Sequence, residues 1–132
     1  MKKYFLLFAL IGVVLVSCKD DEEMTTYEVD ITIEEPASNL TISVNDTFLV
    51  KVVFEREADE VIHHVKVQVL DENGDEVASL LEEHVHEAGT YTFETSIFFT
   101  SIPAGNYTIK AMSHDMEGNH ADPAEVGLTV TN

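Results

Sequence analysis

VIHHVKVQVL (Val61–Leu70), DENGDE (Asp71–Glu76) and VASLLEEHVH (Val77–His86) follow one another in the middle of this chain of 132 residues. Two apolar-rich runs flank a polar break containing Asn73-Gly74, the strongest short-range signal for a β-hairpin. Both residues tolerate positive φ, which the central pair of a type I′ turn requires. With them at the centre, Glu72 pairs with Asp75. Counting outward, Val67 faces Leu80, Val65 faces Glu82 and His63 faces His84. His86 lies two residues beyond His84, on the same side of its strand. His63, His84 and His86 are therefore expected on one face at the open end of the hairpin. A slip of one residue brings His64 instead of His63 to that face. In either register a third imidazole joins the His-x-His pair.

The N-terminus reads as a separate unit. Met1-Lys2-Lys3 is basic, Tyr4 to Val16 is apolar, and the run is too short for a comfortable membrane span. It ends in Leu15-Val16-Ser17-Cys18, which resembles the lipobox of bacterial lipoproteins. That likeness implies a lipoprotein signal peptide over 1–17 and lipidation of Cys18, the only cysteine. A single Cys excludes an intrachain disulfide and a thiolate metal cage. Lys19-Asp20-Asp21-Glu22-Glu23 then reads as a flexible tether within 18–26. It also resembles the acidic tag that Bacteroidetes lipoproteins carry after the Cys when exported to the cell surface. Cleavage before Cys18 removes Lys2 and Lys3 and leaves five basic against 25 acidic side chains, a formal charge of −20. Such a chain repels nucleic acid and anionic head groups.

From Tyr27 onward turn signals recur and no long helical period appears. Strands are expected over Tyr27–Glu34, Leu40–Val44 (a short edge strand), Thr47–Glu55, Val61–Leu70, Val77–His86, Thr90–Phe99, Asn106–Ser113 and Glu125–Thr131. Seven or so short strands imply an all-β fold, a single sandwich over 27–132. Ile102-Pro103-Ala104-Gly105-Asn106-Tyr107, followed by Ala111 to Asn119, resembles the penultimate strand and following loop of bacterial immunoglobulin-like domains. In that fold the penultimate strand lies antiparallel to the strand that begins at Val61. His114 then ends beside His63 and His64, with His120 in the next loop. All six histidines gather at one pole, with Asp115 and the acidic loop of Glu57, Asp59 and Glu60.

Three or four imidazoles suit Zn²⁺ or Cu²⁺, the cofactor expected here. Candidate ligands are His84, His86, His63, His64, His114, His120 and Asp115. The competing readings are surface histidines solvated one by one, and a cluster that loosens a partner interface on protonation. Asp71-x-Asn73-Gly74-Asp75 has the look of a calcium loop but lacks the terminal bidentate Glu, so a plain hairpin turn is expected. No nucleophile elbow, phosphate-cradling Gly loop or Cys nucleophile is present, and nothing singles out a base for metal-assisted hydrolysis. The chain thus reads as a binding module and not as an enzyme.

The precursor resembles a family of small Bacteroidetes lipoproteins of the domain-of-unknown-function 4625 type. The likeness rests on the lipobox, the immunoglobulin-like strands, His63-His64 and the His114-Asp115-x-x-Gly118-Asn119-His120 loop. It implies a cell-envelope location, on the outer membrane and facing outward, with membrane attachment through Cys18. Expected partners are a metal ion and an envelope protein. The alternative function is a surface adhesion or accessory module that binds a protein or glycan, with its histidines incidental.

Overall fold

The computed structural model describes residues 26–100 and 102–132. The expected signal peptide, Cys18 and residues 18–25 of the expected tether lie outside the described residues. Eight strands form: β1 (Asp30–Glu35), β2 (Leu40–Ser43), β3 (Thr47–Glu55), β4 (Val61–Leu70), β5 (Glu76–Ala88), β6 (Thr90–Phe98), β7 (Gly105–His114) and β8 (Ala124–Thr131). They make a three-stranded sheet, β1-β3-β6, and a five-stranded sheet, β2-β8-β7-β4-β5. This is a single immunoglobulin-like sandwich. β2 is indeed an edge strand, paired in parallel with β8.

Alternation builds the interior. β3 reads TFLVKVVFE, and Phe48, Val50, Val52 and Phe54 all point inward. β4 answers from the other sheet with Val65, Val67 and Val69, and β7 with Tyr107, Ile109 and Ala111. Each fully buried branched or aromatic side chain contributes about 1.5–3 kcal/mol. The Tyr107 hydroxyl donates to the Pro103 carbonyl at 2.7 Å, a tyrosine corner at the start of the penultimate strand. As expected, β7 runs antiparallel to β4 and sets His114 opposite His64.

The hairpin turn differs from the type I′ expectation. Gly74 has φ 84°, and Asn73 is not among the residues with positive φ. The cause is Asp71. Its Oδ1 accepts from the amides of Asn73 (2.8 Å) and Asp75 (3.0 Å). Its own amide donates to the Asp75 carbonyl, and Gly74 N–H donates to the Asp71 carbonyl. The loop is therefore three residues long, a type I turn completed by a left-handed glycine.

The register differs with it. Leu70 opposes Glu76, Val69 opposes Ala78, Val67 opposes Leu81, His64 opposes His84 and Ile62 opposes Glu87. Each of the three register shifts adds a residue to β5, which spans 13 residues against ten in β4. His64, not His63, is thus the direct partner of His84. The last shift falls beside Val85 and His86, where His86 takes φ 57°. A bulge residue in the left-handed region turns the strand and re-aims its side chain.

Candidate metal centre

The six imidazoles form one unbroken series of ring contacts. His63 lies 5.3 Å from His86 and 6.2 Å from His84, centroid to centroid, and His84 lies 5.9 Å from His86. His64 stacks on His84 on one side and on His114 on the other, at 4.4 Å each and nearly parallel. His114 then meets His120 at 5.4 Å across an isolated antiparallel bridge. The topology therefore brings every histidine to one pole.

Within this series His63, His84 and His86 are distinct: each offers a ligand atom, and these atoms lie within 4.8 Å of one another. The bulge makes this possible. Strict alternation would leave both His84 and His86 facing away from a residue one position off register. The left-handed kink at His86 carries its ring to His63 instead.

A buried polar clamp holds the base of the trio. Ser113 Oγ donates to the His64 carbonyl at 2.7 Å, since a carbonyl only accepts. Its single proton is then spent, so Tyr27 O–H donates to Ser113 Oγ at 2.8 Å. Tyr27 oxygen in turn accepts from the His63 amide at 3.3 Å. Arg56 sits over the Tyr27 ring at 4.6 Å and donates to the carbonyls of Glu28 and Val61. Glu60, from the acidic loop, pairs with Arg56 at 3.0 Å. Sequence reasoning missed this clamp. Its signal was Ser113, a polar residue at the inward position that follows Tyr107, Ile109 and Ala111.

Electrostatics favour the neutral form at His63 and His64. Burial pushes the His63 imidazole below its usual range. His86, His84 and Arg56 push the same way, and Asp115 opposes them. Burial also lowers His64, with His114, His84 and His63 adding to it. A neutral imidazole has a free lone pair for a cation. His63 Nδ1 is buried and has no hydrogen-bond partner among the described residues.

Asp115 has a different task from the expected one of ligand. Its Oδ1 accepts from the amides of Glu117 (2.9 Å) and Asn119 (2.8 Å), and its Oδ2 from Asn119 Nδ2 (2.8 Å). These bonds hold its carboxyl below the usual carboxylate range, led by the one from the Asn119 side chain. Asp115 thus builds the loop that carries His120. His64, His84, His114 and His120, with Met112, line a groove of about 440 Å³ on the outer face of the larger sheet.

No family model and no curated protein matches the sequence. Among solved structures, the fibronectin(III)-like modules of Clostridium thermocellum CbhA align at 15% identity and TM-score 0.49, over 79% of this chain and 47% of that one. A Niemann-Pick type C2 protein from the Japanese carpenter ant aligns at 11% and 0.49, over 77% and 89%. CopC from Methylosinus trichosporium OB3b aligns at 17% and 0.44, over 77% and 89%. The chain spans about half the length of the first of these. At such identities the likeness is one of fold alone.

Proposed function

We propose that this protein binds a divalent transition ion, Zn²⁺ or Cu²⁺, through His63, His84 and His86, and is held at the outer-membrane surface by lipidated Cys18. One observation carries the reading: three imidazoles offer ligand atoms within 4.8 Å of one another, and the one from β4 has a buried nitrogen with no hydrogen-bond partner among the described residues. An unpaired buried polar atom costs free energy that a metal bond would offset. Three protein ligands would leave a fourth position for water or another ligand, as in metal sites that exchange a ligand. Attachment through Cys18 rests on Leu15-Val16-Ser17-Cys18, and outward display on the acidic run after it.

Among the described residues every strand and every core residue lies within 27–131, so a 19–132 segment retains this sandwich. Titration calorimetry of that segment with Zn²⁺ and Cu²⁺ should give tight uptake, and a His84→Ala/His86→Ala double variant should lose it. Absence of uptake by the parent would return the domain to the adhesion or accessory reading. Radiolabelled palmitate should enter the full-length protein and not its Cys18→Ala variant.

A further inference from the structure

The series of imidazoles divides into two groups, and the second group has the build of a site of its own. His114 and His120 face each other on an isolated bridge with ring centroids 5.4 Å apart, within the spread of spacings found in the trio. His114 Nδ1 lies 2.9 Å from the Asp115 carbonyl. That oxygen can only accept, so the proton sits on Nδ1 and the lone pair on Nε2. A ring nitrogen spent on a backbone carbonyl, with the other left free, is the usual arrangement of a metal-ligating histidine.

The loop between the pair is fixed at both ends. Asp115 N–H donates to the Asn119 carbonyl at 3.0 Å, and Ala121 N–H donates to the Ser113 carbonyl at 3.0 Å. The Asp115 carboxylate fills the middle with its three bonds. His120 is therefore set across from His114 by hydrogen bonds on either side of it. His64 stacks on His114 at 4.4 Å with nearly parallel planes, so it backs that ring and does not turn its in-plane lone pair to the same point. All three line the same groove.

From this geometry we infer a second divalent transition-metal position at His114 and His120, completed by water, so that the pole holds two ions per chain. The position uses none of the trio's residues and does not require the trio to be filled. Two protein ligands against the trio's three make its ion the weaker and faster to exchange.

The test is the stoichiometry of Zn²⁺ and of Cu²⁺ on the 19–132 segment, with metal salts alone as probe. The parent should take two ions in two resolved steps. His114→Ala/His120→Ala should lose the weaker step and keep the tighter one. His84→Ala/His86→Ala should do the reverse, and all four substitutions together should abolish uptake. The milder His120→Ala alone should weaken the second step by about tenfold or more. Unchanged far-ultraviolet circular dichroism confirms that each variant is folded. A parent that takes one ion, or a His114→Ala/His120→Ala variant that takes as many as the parent, overturns the inference while leaving the trio intact. Loss of the tight step from the parent with retention of the weak one would sink the trio and leave this position standing.

Discussion

Two turns of this molecule are the same device at different places. In one, Asp71 caps Glu72-Asn73-Gly74; in the other, Asp115 caps Met116-Glu117-Gly118. Each Asp accepts two backbone amides two and four residues ahead, and each binds an Asn side chain through its second oxygen. Each ends on a left-handed glycine, with φ 84° at Gly74 and 86° at Gly118. The residues that close them differ. Leu70 and Glu76 flank the first, while His114 and His120 flank the second. The comparison teaches that the acidic turn itself is scaffold, its carboxylate consumed within the turn. A calcium-like spacing around Asp71 thus describes a cap, and whatever chemistry exists belongs to the flanking pair.

The largest contrast comes from removing the caps. Asp71→Ala and Asp115→Ala each delete three hydrogen bonds, so both should lower Tm by similar amounts. Only Asp115→Ala should also weaken metal uptake, because only that turn positions histidines. Thermal unfolding and calorimetry on the two variants check this. Equal metal binding in both would mean that loop geometry is irrelevant to the second position. Next comes the gain-of-site version: Leu70→His/Glu76→His plants an opposed pair on the first turn and should add a weak Cu²⁺ step that the parent lacks.

These parallels also mark what was legible in the chain. The strands were: β3 and β4 fall where alternation puts them, from Thr47 to Glu55 and from Val61 to Leu70. So was the gathering of the histidines, because it depends on which strands are neighbours and in which direction they run. The fine register was not. Asn73-Gly74 has the chemistry of a type I′ turn, and only the Asp71 side chain, competing for the same amides, makes it a longer loop. Nor do bulges announce themselves. LLEEHVH has no glycine to mark the left-handed residue, so His86 at φ 57° is visible only in three dimensions. The clamp of Tyr27, Ser113 and His63 joins residues far apart in sequence and has no local pattern at all.

Smaller effects follow from the backbone. Gly74→Ala and Gly118→Ala find open space but a φ that L-residues resist, and each should cost about 1–2 kcal/mol. Denaturant unfolding should rank them alike. His86 poses the opposite case, a non-glycine already in that region. His86→Gly should leave stability unchanged or raise it by up to about 1 kcal/mol while weakening the trio's ion. A large loss of stability would mean that the ring, not the backbone, holds the bulge.

The smallest effect separates the turns by pH. His63 and His64 are held below their usual value, so the unfolded chain binds their protons first as pH falls. Their contribution is fully present above the unfolded value of about 6.5 and declines as pH falls below it toward the lowered folded values. Asp71 and Asp115 are also lowered, but from a carboxylate value, so their contribution persists to about pH 4 and is lost only as pH falls further. Between pH 6.5 and 4 the histidine pole should therefore loosen while the Asp71 turn stays closed. Amide hydrogen exchange, corrected for its intrinsic pH dependence, should show protection falling at His63, whose amide donates to the Tyr27 oxygen, and not at Asp75 over that interval. The metal-loaded protein should delay the fall at His63, since a bound cation competes with the protons. Parallel loss at both amides would place the acid sensitivity in the sandwich as a whole and not in its imidazoles.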